Sequence, residues 1–420
     1  MSFLIAAPSS GSGKTTITLG LLRALARRGI TVRGAKSGPD YIDPRFHAAA
    51  SGQECFNLDA WAMSEVRIGS LAAGTAPLII EGAMGLFDGA PPEGKGACAD
   101  LARILGVPVV LVVDAAHMAQ SVAALVSGFM NHDPNVSIAG VILNKVGSPR
   151  HAKMLERALA PLGVPIFGVF MRDNSLTHPS RHLGLVQAAE HPELEQFLDT
   201  VADKVAACVD LSAIGALLSP FSPNGSGPAV APPAQRIAVA QDEAFAFAYP
   251  HILNDWRTAG AEVAQFSPLA DEAVPDADIV FLPGGYPELH AGRLASNATF
   301  LNSLRDHAAK RPVYGECGGY MVLGDALTDA DGTPHKMAGL LRLETSFAKR
   351  KLHLGYRHLT AAHGPFAGNW KGHEFHYAST MKADGPPLFE ASDAGGTQLP
   401  AMGLIDGNVS GSFAHVIDRA

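Results

Sequence analysis

The chain has 420 residues, 47% of them apolar and 17% charged, with a formal net charge of −8. Its length exceeds one typical domain. Its balance suits a well-cored globular protein and argues against a nucleic-acid binder, since no basic run makes a local exception. Cys55, Cys98, Cys208 and Cys317 form no C-x-x-C pair, so neither a zinc site nor a disulfide framework is indicated. With no basic leader and no apolar run near the ~20 residues that span a bilayer, the chain reads as cytoplasmic and off the membrane.

The first stretch that carries chemistry is Ser9-Ser10-Gly11-Ser12-Gly13-Lys14-Thr15-Thr16. An apolar run, Phe3 to Ala7, precedes it and an amphipathic one, Ile17 to Arg28, follows. The order is strand, glycine-rich turn, helix. In such a loop the backbone N–H groups of Gly11, Ser12, Gly13, Lys14, Thr15 and Thr16 face a phosphate at a helix N-terminus. Lys14 reaches the outer phosphates and the Thr15 hydroxyl holds Mg²⁺. The pattern G-x-x-x-x-G-K-[ST] asks for glycine at position 8, where Pro8 stands. Taken alone the loop implies binding of a nucleoside triphosphate such as ATP.

Short apolar runs then alternate with amphipathic ones. Candidate strands are Thr31 to Lys36, Pro77 to Ile80, Val107 to Val113, Ile138 to Asn144 and Ile166 to Val169. This is the rhythm of a parallel α/β sheet with helices on both faces, and ligands of such sheets sit beyond the carboxyl ends of the strands. Asp40 and Asp43 follow the second strand on an expected loop. Glu81 closes the third and Asp88 sits in the glycine-rich run after it. Carboxylates there suit Mg²⁺, a hard cation. Asp40 and Glu81 are the metal candidates beside Thr15, while Asp43 and Asp88 are candidates for substrate and phosphoryl transfer. Asn144 ends a strand where its amide can read a base. Lys36, Arg45, His47 and Lys145 give the same edge cationic character, with solvated surface charge as the plain alternative.

From 219 to 235 the composition turns to Pro, Gly and Ser, which reads as a linker between a 1–218 domain and a 236–420 domain. The second domain opens on a strand, Arg236 to Ala240, followed by a helical pattern, Phe247 to Ala259. Strands 262–266 and 278–282 come next, and a helix runs from about Asn297 to Ala309. Pro312-Val313-Tyr314-Gly315-Glu316-Cys317-Gly318-Gly319-Tyr320 then reads as a nucleophile elbow, a strand entering a tight turn with Cys317 at its apex. Proximity to a helix N-terminus is expected to favour the thiolate. The N–H of Gly318, with one from Gly284-Gly285, can form an oxyanion hole. The base can come from Gly372-His373-Glu374-Phe375-His376-Tyr377 or from Gly411-Ser412-Phe413-Ala414-His415, and spacing does not choose between them.

Four motifs now stand in order: Gly38 to Pro44, Glu81 to Gly89, Leu282 to Glu288 and Gly315 to Tyr320. Together they resemble the cobyrinate and hydrogenobyrinate a,c-diamide synthases of cobalamin biosynthesis, over nearly the whole chain. Ala35 to Asp40 is similar to the hydrogenobyrinate members. The resemblance implies a phosphate-loop domain like dethiobiotin synthetase, then a class I glutamine amidotransferase-like α/β domain of the cobalamin type. It implies Cys317 as nucleophile and His415 as its base, with Gly285 and Gly318 at the oxyanion. It also implies ATP as substrate, Mg²⁺, and glutamine and a corrinoid polycarboxylate as partners. Amidation would pass through acyl phosphates at the a and c acetates, with Lys36 near the substrate carboxylates. A homodimer is the expected assembly. Ordinary class I enzymes carry H-x-E at the base, whereas His415 is followed by Val416-Ile417-Asp418, which leaves the third member open, with Glu374 as one substitute. The alternatives are the same reaction on cobalt-containing cobyrinate, and cobyric acid synthase, whose K-P-Q-N-M motif is absent. A third is a partitioning-type ATPase switch with a non-catalytic second domain, which leaves Cys317 and its glycines unexplained.

Overall fold

The computed structural model describes residues 2–173, 180–181, 184–185, 187–190, 193–221 and 227–420. The chain separates into two compact units, Met1–Pro228 and Ala229–Ala420. Residues 222–226 of the expected linker lie outside the described residues. Among the described residues no helix is long and apolar enough to cross a membrane.

The first unit is built on seven strands: β1 (Phe3–Ala6), β2 (Arg33–Ser37), β3 (Phe56–Leu58), β4 (Leu78–Glu81), β5 (Val109–Asp114), β6 (Ile138–Val146) and β7 (Ile166–Met171). Their order across the sheet is β3-β2-β4-β1-β5-β6-β7, and every pairing is parallel. The valines and leucine of β5, Val109 to Val113, are all fully buried, as a strand covered on both faces requires. The order reverses beside β1, so the loop after it opens at a switch point of the sheet. Helices α1 (Lys14–Arg27) and α2 (Asp43–Ser51) follow β1 and β2. Strand β3 has only three residues and escapes a periodicity reading.

The second unit holds β8 (Arg236–Ala240), β9 (Glu262–Phe266), β10 (Ile279–Leu282), β11 (Val313–Glu316), β12 (Leu404–Asp406) and β13 (Val409–Ser412) in one sheet. Its order is β9-β8-β10-β11-β13-β12, parallel except for β12 against β13. The expected helix 247–259 is shorter, Pro250–Thr258, because Pro250 fits only its first turn. A five-stranded antiparallel sheet lies beyond, in which strand Gly368–His376 pairs with His353–Ala361 and with Ala414–Arg419. At Phe413 the chain passes from β13 into Ala414–Arg419, and this carries His415 from one sheet to the other.

Candidate active sites

The loop between β1 and α1 bends through two glycines at positive φ, Gly11 at 77° and Gly13 at 94°. A side chain at Gly13 would also fall 2.2 Å from the Asn144 amide nitrogen. Asn144 Nδ2 donates to the Ser12 carbonyl (2.9 Å), and its Oδ1 accepts from the Lys145 N–H (2.9 Å). The strand runs on to Val146, so Asn144 lies inside it, not at its end. Its amide brackets the loop from the next strand but one. Lys145 Nζ does the same, donating to Gly11 O (2.8 Å) and Asp114 (2.7 Å). Lys14 Nζ reaches across the loop to Met84 O (2.6 Å) and Ser9 O (3.4 Å). Burial and the nearby Lys36 charge lower its pKa.

Glu81 is the hub of the site. Its Oε1 accepts from Thr15 Oγ1 (2.6 Å) and from Lys36 Nζ (2.8 Å), and its Oε2 meets His47 Nε2 at 2.6 Å. Lys36 also donates to Asp43 Oδ2 at 2.5 Å. All but Thr15 are buried, Glu81 at 1% exposure and His47 at 0%. Burial opposes the charge on Glu81, but Lys36 and His47 outweigh it and hold the carboxyl well below its usual range. Lys36 is raised for the mirror reason: burial opposes its charge and Asp43 and Glu81 more than restore it. Asp43 is pushed up to about 7, first by burial and then by the charge of Asp40. His47 rises to about 10 against burial, through Cys55 and Glu81.

The expectation that Asp43 sits on a loop is corrected here, since it is the first residue of α2. Asp40 Oδ1 caps that turn, accepting from the N–H groups of Ile42 (2.8 Å) and Asp43 (2.9 Å). Lys36 is a buried ion-pair partner, not a free cation. Asp88 braces its own loop by accepting from the Gly85 N–H at 3.0 Å. Two residues of this architecture escaped the sequence reading of roles. His47 is buried against Glu81 and not part of the edge charge, and fully buried Asn57 donates to Gly38 O and Asp40 O, 2.8 Å each. A polar residue inside apolar β3 is the signal that would have found Asn57. The donors at Thr15, Glu81 and Asp40 are all oxygen, which fits a hard dication such as Mg²⁺. Thr15 and Glu81 touch, while Asp40 stands off in its capping contacts. A cavity of about 190 Å³ opens beside the loop, lined by Gly13, Thr16, Asn144, Phe170, Arg172 and Lys204 among others.

In the second unit the elbow is formed as expected. Cys317 takes φ 46°, ψ −103°, a conformation that costs a non-glycine residue about 1–3 kcal/mol and clusters at active sites. It is pinned by its N–H, which donates to Ser412 O at 2.8 Å, and by the Met321 N–H donating to its carbonyl at 3.0 Å. A methyl on Gly319 would fall 1.9 Å from Leu282 O, so the turn can lie on β10 only without a side chain there. A methyl on Gly284 would fall 2.4 Å from His415 Cε1, 2.8 Å from its Nε2 and 3.2 Å from Cys317 Cβ. Cys317 and the Nε2 edge of His415 therefore face one small space over Gly284. A side-chain carbon on Gly318 would lie 3.0 Å from the Gly285 nitrogen, so the two amides expected at the oxyanion are neighbours.

Burial, with His373 and His376 nearby, lowers His415 to about 3, so the imidazole is neutral, and the same burial weakens it as a base. The expected thiolate is corrected: burial and the charge of Glu288 raise the Cys317 thiol far more than the Gly318 amide lowers it. Cys317 thus needs a base. The other ring nitrogen, Nδ1, is 3.6 Å from Glu316 Oε2. Glu374, the substitute weighed above, is engaged elsewhere, by Arg357 (2.7 and 3.0 Å) and His376 (2.9 Å). His373 pairs with His415 across the strands. His353, Glu374 and His376 stand near enough for one ion. The two rings stack 5° from parallel, so their in-plane lone pairs do not converge, and Arg357 already neutralises the carboxylate.

Comparison with known proteins bears on both units. Residues 3–186 match the CobQ/CobB/MinD/ParA nucleotide binding domain, and residues 236–419 match the CobB/CobQ-like glutamine amidotransferase domain. A hydrogenobyrinate a,c-diamide synthase of Brucella anthropi is 55% identical, over 99% of this chain and 98% of its own. Enzymes of the same name from Brucella abortus (56%, 99% and 98%) and Mesorhizobium japonicum (51%, 100% and 99%) are similar over the same span.

Proposed function

The chain belongs to the hydrogenobyrinate a,c-diamide synthase family, and we propose that its two sites divide an ATP- and glutamine-dependent amidation between them. It is an amide-forming ligase. The observation that carries the division of labour is the strained Cys317 sharing the space over Gly284 with His415, on a chain whose other unit bears the nucleotide loop.

In the second unit, His415 Nε2 takes the Cys317 proton as the sulfur attacks the carboxamide carbon of glutamine. The carbonyl π pair moves to oxygen, where the Gly285 and Gly318 N–H groups receive it. His415 then returns the proton to the departing nitrogen, and ammonia leaves a thioester. Water, deprotonated by the same imidazole, hydrolyses the thioester to glutamate and restores the thiol. A neutral imidazole fits a base in the first step, and a raised thiol explains why proton transfer must accompany attack.

In the first unit, Lys14 and the Gly11 to Thr16 amides hold the phosphates of ATP, with the cavity beside Asn144 receiving the base. Thr15 and Glu81, with Asp40, would hold Mg²⁺, which neutralises phosphate charge when bound. The Lys36–Asp43–Glu81 cluster fixes the carboxylate hub and borders the position of the substrate carboxylate. A carboxylate resists direct displacement by ammonia. Transfer of the γ-phosphoryl group makes an acyl phosphate, and ammonia then expels phosphate to leave the amide, once at each of two acetates. The relatives' names favour hydrogenobyrinate over the cobalt-containing cobyrinate.

The test is a pair of single variants incubated with hydrogenobyrinate, ATP and Mg²⁺, with product mass read for two amide gains. Cys317→Ala should lose glutamine-dependent synthesis and keep synthesis from ammonium. Lys14→Ala should lose both while still hydrolysing glutamine. Glutamine use by Cys317→Ala, or wild-type ammonium use by Lys14→Ala, would sink the reading. A parallel incubation with cobyrinate decides the metal state of the corrinoid.

A further inference from the structure

Glu316 precedes the nucleophile in the chain and ends β11, opposite Ser412 of β13. It is 3% exposed. Its Oε1 is fixed by two donors, the Val416 N–H at 3.0 Å and the Tyr314 hydroxyl at 3.3 Å. That leaves Oε2 facing His415 Nδ1, 3.6 Å away, while the adjoining Cε1–Nε2 edge of the ring faces Gly284 and Cys317. The distance is too long for a hydrogen bond, but such contacts commonly tighten when substrate binds.

We infer that Glu316 is the positioning residue of the glutamine site, holding the His415 imidazole by Nδ1 so that Nε2 faces the sulfur. The inference rests on the proposed roles of Cys317 and His415. It supplies what the His415-Val416-Ile417 sequence withholds, because the carboxylate arrives from β11, 99 residues before the histidine and on a different strand. Burial favours the protonated Glu316 carboxyl and a developing imidazolium favours the carboxylate. With Glu316 ionised, the one imidazole proton sits on Nδ1 facing Oε2 and leaves Nε2 as acceptor. When the Cys317 proton reaches Nε2, the carboxylate at Nδ1 neutralises the imidazolium in a site whose burial otherwise forbids that charge. The fixed Oε1 explains why the side chain can do this without wandering, since both Val416, next to His415 on the same strand, and a neighbouring tyrosine hold it.

Glu316→Gln keeps the shape and the Oε1 contacts and removes the charge, and Glu316→Asp restores the charge one methylene short. Glutamine hydrolysis by the full chain is measured for both, with Cys317→Ala and His415→Ala alongside. Glu316→Gln should lower kcat by about a hundredfold or more with KM for glutamine within about threefold, because a group that acts through His415 serves the transition state and not ground-state binding. Glu316→Asp should recover at least tenfold of that loss. Unaltered KM also reports that the site is folded. A Gln variant within threefold of wild-type kcat, or an Asp variant no better than Gln, overturns the inference. If Cys317→Ala itself hydrolyses glutamine, the failure lies with the nucleophile assignment and is distinguishable from either result.

Discussion

Gly284→Ala is the sharpest probe of the glutamine site. The added carbon would sit 2.4 Å from His415 Cε1, 2.8 Å from Nε2 and 3.2 Å from Cys317 Cβ. Carbon atoms rest at about 3.5–4.0 Å, so the ring must retreat by roughly 1 Å or more. His415 is fully buried between the strand that carries His373 and the ring of Tyr249, 6.4 Å away, so retreat is resisted on both sides. A displacement of that size in a reacting pair costs about a hundredfold, or about 2.7 kcal/mol of barrier. The expected outcome is a glutaminase kcat reduced by about two orders of magnitude. Synthesis from ammonium should be unaffected, because it bypasses the cysteine and the histidine. Hydrolysis is followed by glutamate release, and amidation by product mass. A kcat within threefold of wild type would show that the cysteine and histidine do not work across this glycine, and the mechanism drawn from their proximity would fall.

Two further outcomes follow from the buried charges. Lys36→Met removes the cation shared by Glu81 and Asp43 and should destabilise the first unit by about 3–5 kcal/mol, read by urea unfolding, with a loss under about 1 kcal/mol refuting the hub. In the second unit, His373 and His415 are each lowered to about 3, mainly by burial, and Glu374 is lowered to about 2 because His376 and Arg357 outweigh the effect of burial. All three are depressed on folding, so their contribution is full above the unfolded values and is lost as pH falls through the folded ones. Glu316, raised by burial to about 8, works the other way, but only above about pH 4.5, where its unfolded form ionises. Between about pH 4.5 and 3 nothing in this group opposes the loss, and three protons bound on unfolding give a slope of up to about 4 kcal/mol per pH unit. His373→Asn should cut that slope by about a third in urea midpoints taken across the window. An unchanged slope would show that His373 is not held neutral.

The elements legible in the sequence are those whose chemistry is local. The Gly11 to Thr16 turn, the position of Glu81 at a strand end and the strained Cys317 each follow from residues within a few positions of one another. What stayed hidden was made by strands meeting across the sheets. Nothing local shows that the Asn144 amide also lies against Ser12, 132 residues away. Nor does anything local show that Lys36 is also ion-paired, because its partners Asp43 and Glu81 come together only when β2 and β4 pair. Asp43 starts α2 where a loop is expected, since the carboxylate that braces the turn into that helix is Asp40, a residue otherwise drawn toward a metal role. The thiol shows the limit most plainly. A turn before a helix suggests a lowered pKa, yet the helix here has only six residues, Gly318–Leu323, and the site is enclosed. Depth of burial is a property of the whole fold, and at Cys317 it outweighs the local amide. The same cause neutralises His415, so one structural fact sets both partners: the thiol keeps its proton, the imidazole lacks one, and transfer between them waits for the substrate.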